Sequence, residues 1–252
     1  EPMTLVVLAG TGDAKRIAWG LVDTSIKVIA SLAGATRAPD PLPVPTRIGG
    51  FGGEDGFRDY LRGSEITAVL DATHPFAAQI SDRTARICGE LGLPYAQFVR
   101  PVWTPEDGDN WTTIAAPVDA VNHIANGSTV FLATGRQTLA EYANLAGRRV
   151  LVRVIDPPTA PLPFEGGEFI IGRPPFTQSS EAALFRALGV THLVSKNAGG
   201  QGGRAKLDAA RELGLPVLLL DRPKTAPQIR SPQQLVSVQD ALLWVSSLAG
   251  MP

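Results

Sequence analysis

A glycine-rich turn directly follows the first strand that the sequence predicts. The strand covers Thr4–Ala9, and the turn reads Ala-Gly-Thr-Gly-Asp-Ala over residues 9–14, before a predicted helix at Ala14–Leu21. A turn of this kind exposes backbone N–H groups at the N-terminus of a helix, where the helix dipole also favours an anion. The segment therefore predicts a phosphate-binding loop.

Four residues of this turn are candidate cofactor-binding residues: Gly10, Thr11, Gly12 and Asp13. Because the carboxylate of Asp13 would repel a pyrophosphate, we expect it to point away or to contact a sugar hydroxyl. The third glycine of the dinucleotide-binding pattern is replaced by Lys15. Tight strand-to-helix turns need glycine for their own geometry, so the turn alone is also compatible with a purely structural role.

The second predicted strand covers Lys27–Ser31, and the segment that follows it favours NADP over NAD. Enzymes that bind NAD usually carry an acidic residue there for the ribose 2′-hydroxyl, whereas residues 31–37 read Ser-Leu-Ala-Gly-Ala-Thr-Arg. The hydroxyl groups of Ser31 and Thr36 and the guanidinium of Arg37 suit a 2′-phosphate. The alternative for Arg37 is a solvated charge on a loop.

Two more loops follow the third and fourth predicted strands. The run Gly-Gly-Phe-Gly-Gly at 49–53 lets the backbone approach a ligand closely, which makes Gly50 a candidate cofactor contact. The run Asp-Ala-Thr-His-Pro-Phe at 71–76 places Thr73 and His74 at the end of a strand. We interpret Thr73 as a cofactor-binding residue. The alternative is that Asp71 and Thr73 cap the next helix.

Basic residues concentrate on the corresponding loops of the second half. Residues 195–206 carry the run Gly-Gly-Gln-Gly-Gly between lysine and arginine residues. Together these loops suit a polyanionic ligand, although each residue alone is compatible with a solvated surface charge. The candidate substrate-binding residues are Arg136, Lys196, Asn197, Lys206 and Arg222.

The elements that must position these loops alternate between short apolar strands and helices, which indicates βαβ units. The strands are apolar on both faces, as buried parallel strands are. Residues 90–101 and 212–223 are identical at seven of twelve positions, an offset of 122 residues. We therefore predict an α/β chain with two similar domains, whose mainly parallel sheets face a central cleft.

The proline-rich segment 101–117 is the expected connection between these domains, which gives boundaries of 1–117 and 118–252. The final strand and helix, at about Leu235–Leu248, have the segment after Trp111 as their counterpart in the repeat. The two segments could therefore exchange places between the domains.

Composition excludes several classes of protein. The 252 residues carry a formal net charge of −1, which argues against a general nucleic-acid binder. Cys88 is the only cysteine, so no intrachain disulfide forms, and one cysteine with three histidines does not make a common zinc site. No apolar run approaches the length of a membrane span, and no secretory signal precedes the first strand, so we expect a cytoplasmic protein without a metal.

Four motifs together resemble the precorrin-6A reductases: V-V-L-A-G-T-G-D-A, R-I-G-G-F-G-G, D-A-T-H-P-F-A and S-K-N-A-G-G followed by A-K-L-D-A-A-R-E-L-G-L-P-V. The resemblance runs from about residue 4 to 223. It implies two Rossmann-like domains and an NADPH-dependent reduction of one macrocycle double bond in precorrin-6A, giving precorrin-6B in cobalamin biosynthesis. The substrate is then a tetrapyrrole polycarboxylate, which agrees with the clustered basic residues. A related enzyme of the anaerobic branch takes a cobalt-bearing substrate, and the sequence does not choose between the branches.

Reduction also requires a proton, for which His74 and Lys196 are the candidate donors, with water as the alternative. The alternative for His74 is that it packs beside Pro75 and orders its loop. Two other functions stay open from the residues alone: a two-domain protein that binds an anionic ligand without chemistry, and a methyltransferase on a similar fold. The oligomeric state is open as well, with a monomer as the working expectation.

Overall fold

The computed structural model describes residues 2–34, 37–223 and 233–250. Strands in chain order are β1 (Thr4–Leu8), β2 (Lys27–Leu32), β3 (Thr46–Ile48), β4 (Ala68–Asp71), β5 (Tyr95–Phe98), β6 (Trp111–Ile114), β7 (Thr129–Ala133), β8 (Arg149–Val154), β9 (Gly167–Ile171), β10 (His192–Lys196), β11 (Val217–Leu220) and β12 (Gln233–Leu235). The α-helices are α1 (Gly12–Leu21), α2 (Gly53–Gly63), α3 (Ala78–Leu91), α4 (Gln178–Leu188), α5 (Ala205–Leu213) and α6 (Val238–Leu248). Short 3₁₀ helices cover Pro117–His123 and Leu139–Leu145.

These elements form two compact units, each built on a six-stranded parallel sheet. The first unit comprises Glu1–Pro101 and Pro223–Pro252, and the second comprises Val102–Arg222. The strand orders are β12-β5-β4-β1-β2-β3 and β6-β11-β10-β7-β8-β9. The two orders correspond position by position, so the mixed helix and sheet pattern of the sequence is that of two Rossmann-like domains, as predicted.

In the first unit the order in which strands are added to the sheet reverses at β1. β2 and β3 lie on one side of β1, while β4 and β5 lie on the other. All five residues of β1 are buried, because both faces of the strand are covered. Ligands of open α/β sheets bind beyond the carboxyl ends of strands at such a reversal, which here are the ends of β1 and β4.

The second unit has the same reversal at β7. β8 and β9 lie on one side of this strand, and β10 and β11 lie on the other. Phe131 of β7 packs edge-on against Phe185 of α4, with ring centroids 5.0 Å apart. The loops after β7 and β10 therefore meet at one edge of a firmly packed sheet.

The units begin and end at different residues from those predicted. β6 pairs with β11 in the second sheet, and β12 pairs with β5 in the first. The proline-rich segment after Pro101 therefore belongs to the second unit, and the boundary at 117/118 is corrected to 101/102 with a return at 222/223. This is the exchange of segments that the 122-residue repeat allows.

The C-terminal helix is integrated into the core of the first unit. Trp244 and Val245 of α6 pack in the same apolar cluster as Ile17 and Leu21 of α1. Among the described residues, no helix is both long enough and apolar enough to cross a bilayer.

Candidate functional site

The turn after β1 forms the N-terminal cap of α1. The Oγ1 of Thr11 accepts a hydrogen bond from the N–H of Ala14 at 3.3 Å and donates one to the carbonyl of Ala72 at 2.9 Å. Gly10 has φ of +135°, which L side chains rarely adopt. A Cβ atom added at Gly10 or Gly12 would meet no atom within 4 Å. The turn is thus held firmly by Thr11 while its glycine face stays open.

Asp13 is neutralised by arginine residues within the same unit. Its side chain is buried in the first turn of α1, and both of its carboxylate oxygens pair with the guanidinium of Arg100. The Nη1 of Arg16 lies 3.3 Å from Oδ1 of the same carboxylate. Burial lowers the pKa of Arg100, which remains a cation. Two guanidinium groups and one carboxylate leave a positive charge beside the glycine turn.

A second arginine is fixed at the carboxyl ends of β2 and β3. The Nη1 of Arg47 donates to the Oγ of Ser31 at 2.8 Å and to the carbonyl of Gly49 at 3.0 Å, and its Nη2 donates to the carbonyl of Gly50 at 2.9 Å. Its guanidinium also lies 3.9 Å from the ring centroid of Phe51. Because these partners are all uncharged, they leave the positive charge of Arg47 in place.

Ser31, which was predicted near a ribose phosphate, is in contact with this arginine. Thr36 lies outside the described residues. Arg37 is exposed on the loop after β2, where it has an interaction partner. Gly50 contributes its carbonyl to Arg47.

Asp71, at the end of β4, is fully buried and accepts three hydrogen bonds. The backbone N–H and the Oγ1 of Thr73 donate to Oδ1 at 3.1 and 2.6 Å, and the hydroxyl of Tyr95 donates to Oδ2 at 2.7 Å. Burial, with the nearby charge of Asp71, raises the pKa of Tyr95. The N-cap position of α3 is Ala77, so the alternative that Asp71 and Thr73 cap this helix is wrong.

His74 is exposed at the tip of the same loop. Its Nδ1 accepts a hydrogen bond from the N–H of Phe76 at 3.3 Å, and the two rings have centroids 5.6 Å apart. A neutral imidazole that accepts at Nδ1 carries its proton on Nε2. The loop therefore orients His74 with Nε2 as its donor atom.

In the second unit, the loop after β10 is tied to Trp103. The side-chain amide of Asn197 accepts from the N–H of Trp103 at 2.8 Å and donates to its carbonyl at 3.1 Å. The indole N–H of Trp103 donates to the carbonyl of Gly200 at 2.7 Å. Arg222 donates to the carbonyls of Asn197 and Ala198 at 3.0 and 2.8 Å. Asn197 and Arg222 thus use their polar groups to hold the loop.

The remaining basic residues of the second unit differ in their surroundings. The Nζ of Lys206 donates to the carbonyl of Gly203 at 2.8 Å, and burial lowers its pKa to about 8, against the opposing charge of Glu181. Burial also lowers the pKa of Lys196 at the end of β10. Arg136 is exposed after β7, and no carboxylate pairs with it among the described residues. Lys196 is the last residue of β10, and Arg136 is the third residue after β7.

Comparison with known proteins decides the family. The model of the precorrin-6x reductase family, CbiJ/CobK, matches residues 4–246. The chain belongs to the precorrin-6x reductase family. A precorrin-6A reductase of Rhodobacter capsulatus is 45% identical over 87% of this chain and 88% of its own. The solved structure of CobK precorrin-6A reductase, 40% identical, superposes with a TM-score of 0.92 over 99% of this chain and 98% of that one.

Cobalt-precorrin-6A reductases are more distant members of the same family. That of Methanothermobacter thermautotrophicus is 29% identical over 89% of this chain and 78% of its own.

A reductase of this family on a Rossmann-like fold uses a nicotinamide cofactor, and the residues of the first unit fit one. The open space beside Gly10 and Gly12 leaves room for a pyrophosphate at the N-terminus of α1. Sequence reasoning missed Arg47 and Arg100, whose signals were the R-I-G-G-F-G-G motif and the Arg-Pro that ends both copies of the repeat. It also missed Trp103 and Tyr95. Among the described residues, no three metal-ligating side chains come together.

Proposed function

We propose that the chain is an NADPH-dependent reductase of precorrin-6A, acting in cobalamin biosynthesis. The observation that carries this proposal is the pair of arginine sites at the carboxyl edge of the first sheet. Arg47 is held at the ends of β2 and β3, and Arg100 is held beside the glycine turn after β1. Together with the family, this arrangement supports a cofactor with phosphate groups at both places. A reducing compartment suits the free thiol of Cys88, and the proposal includes a cytoplasmic setting.

In the first unit we assign the binding of NADPH to the glycine turn and to the two arginine sites. The N–H groups at the start of α1, next to Gly10 and Gly12, bind the pyrophosphate, and Asp13 holds the guanidinium of Arg100 near it. Arg47, which donates a hydrogen bond to Ser31, binds the 2′-phosphate. Thr36 and Arg37 follow β2 in the sequence and remain candidates for that phosphate.

In the second unit we propose that Arg136 and Lys196 bind substrate carboxylates. A charge-assisted hydrogen bond between such groups contributes about 1.5–3 kcal/mol. Asn197, Lys206 and Arg222 were expected to bind substrate as well. Asn197 is hydrogen-bonded to the backbone of Trp103, and Lys206 and Arg222 donate to carbonyls of the loop. We therefore propose that these three residues shape the loop that presents Lys196.

When bound, the nicotinamide supplies a hydride to the conjugated macrocycle, and the protein provides the orientation. The proton comes from His74, from Lys196 or from water. General acid assistance contributes about 10²- to 10⁴-fold, so His74→Ala or Lys196→Ala lowers kcat by that factor if the residue is the donor. Values of kcat close to wild type in both variants leave water as the source.

We favour precorrin-6A over its cobalt form because the chain is more similar to the precorrin-6A reductase than to the cobalt-precorrin-6A reductase. The proposal is tested by titrating the protein with NADPH and NADH while following nicotinamide fluorescence. We expect tighter binding of NADPH. An absence of binding for both nucleotides would contradict the proposal, and it would favour a binding protein without redox chemistry.

A further inference from the structure

The carboxylate of Asp71 is buried in the first unit without any exposed surface. Its hydrogen-bond donors are two groups of Thr73 and the hydroxyl of Tyr95, all of them uncharged. Burying a carboxylate costs free energy unless hydrogen bonds replace its hydration. A group of this kind fixes the geometry of the segments that supply its donors.

The segment that Asp71 fixes is the loop of residues 72–77, which joins β4 to α3. Thr73 lies inside this loop, whereas Tyr95 comes from β5. The hydroxyl of Tyr95 also lies 3.4 Å from the carbonyl of Ser81 in α3, and the Oγ1 of Thr73 lies 3.4 Å from the Oγ of Ser81. The hydroxyl of Tyr95 therefore contacts residues on both sides of the loop, Asp71 at the end of β4 and Ser81 in α3.

The same loop is joined to the glycine turn after β1. The N–H of Ala72 donates to the carbonyl of Leu8 at 2.8 Å, and the carbonyl of Ala72 accepts from Thr11 at 2.9 Å. A shift of Asp71 would move Ala72 and with it the contact to Thr11. The loop and the turn thus form one hydrogen-bonded surface at the point where the sheet reverses.

We propose that Tyr95 is a positioning residue for the reductase reaction, acting through Asp71 on the loop 72–77. This inference rests on the proposed function, in which His74 of this loop is a candidate proton donor. Tyr95 supplies the second anchor of a carboxylate whose first anchor is Thr73. The hydroxyl of Thr73 donates to Asp71 at 2.6 Å and so shapes the loop.

The test compares Tyr95→Phe, Thr73→Val and Thr73→Ser with the matched control Thr84→Val. Thr84 is also buried in the first unit, but its hydroxyl donates to the carbonyl of Ile80 within α3. We measure kcat, the KM for precorrin-6A, the Kd for NADPH and the hydrogen exchange of loop amides 73–77.

We expect Tyr95→Phe and Thr73→Val each to lower kcat about 10-fold, the low end of what one hydrogen bond to a charged group contributes. The Kd for NADPH changes less than about 3-fold, and the loop amides exchange faster in both variants. Thr73→Ser retains the hydroxyl and has a higher kcat than Thr73→Val, whereas the control Thr84→Val stays close to wild type. Because both variants act on one carboxylate, the double variant Tyr95→Phe/Thr73→Val loses less than the product of the single losses.

Two results would overturn the inference. One is a Tyr95→Phe variant that melts at a lower temperature but keeps wild-type kcat and wild-type exchange of the loop, as a purely structural role requires. The other is a Thr73→Val variant that loses NADPH affinity while Tyr95→Phe keeps full kcat, as direct cofactor binding by Thr73 requires. If wild type shows no NADPH-dependent turnover, the proposed function fails. The exchange rates then decide alone: exchange in Tyr95→Phe equal to that in Thr84→Val refutes the positioning role.

Discussion

Replacing Arg47 with methionine tests the assignment of the 2′-phosphate. Methionine removes the charge but retains an apolar stem that can pack on Phe51, 3.9 Å from the guanidinium in wild type. Among the described residues, the Arg47 guanidinium donates hydrogen bonds only to neutral oxygens, those of Ser31, Gly49 and Gly50. Its charge is therefore available to a phosphate, and losing it costs about 1.5–3 kcal/mol of binding free energy.

That free energy corresponds to a Kd for NADPH that rises about 10- to 150-fold, since each 1.4 kcal/mol is a factor of about 10. NADH lacks the 2′-phosphate, so its Kd should change less than about 3-fold. The carbonyls of Gly49 and Gly50 lie near the surface, where water replaces the lost hydrogen bonds, so the fold should survive with a loss of about 1 kcal/mol.

The assay is a fluorescence titration of each variant with both nucleotides. Arg62→Met, the same change in the last turn of α2, is the matched control and should leave both affinities unchanged. Arg37→Met measures how much the loop after β2 contributes. Equal losses for NADPH and NADH in Arg47→Met would refute the assignment of this arginine to the 2′-phosphate.

Three further predictions concern the glycine turn and the buried lysine. Gly12→Val should abolish NADPH binding, because the added atoms occupy the space that we assign to the pyrophosphate. The protein should still fold, because that space holds no protein atoms. Unchanged affinity in the titration would contradict a phosphate-binding turn. Asp13→Asn should weaken NADPH binding about 5-fold or more by releasing Arg100, although loss of a carboxylate beside a phosphate would by itself strengthen it. Tighter binding would therefore show that Asp13 does not position Arg100. Lys206 has its pKa lowered to about 8 by burial, so the unfolded chain binds more protons than the folded one between about pH 8 and pH 10. Over that range, urea denaturation should give a free energy of unfolding for wild type that rises relative to Lys206→Met, and a falling difference would contradict the burial of this lysine.

The architecture could be predicted from the sequence because it depends on local patterns. Runs such as Val217–Leu220 are apolar on both faces, which indicates a covered parallel strand. The repeat at an offset of 122 residues predicted two similar domains, and it made the exchange of β6 and β12 conceivable. The repeat did not determine the boundary between the domains, because the sequences of the edge strands β6 and β12 are compatible with pairing in either sheet.

The partners of the site residues could not be predicted in the same way. Asp13 and Arg100 are 87 residues apart, and Asn197 and Trp103 are 94 apart. No local pattern indicates which buried polar groups the fold will bring together. The duplicated Arg-Pro at Arg100 and Arg222 marked both arginines as equivalent in the repeat, yet the first pairs with a carboxylate and the second with loop carbonyls.

The most direct test of the central claim is a turnover measurement with purified protein, precorrin-6A and NADPH. Loss of nicotinamide absorbance and the mass of the macrocycle are followed together. We predict that NADPH is consumed in equal amount to precorrin-6A and that the product gains one hydride and one proton. Stoichiometric binding of precorrin-6A with no oxidation of NADPH and no gain in mass would contradict the assignment as a reductase.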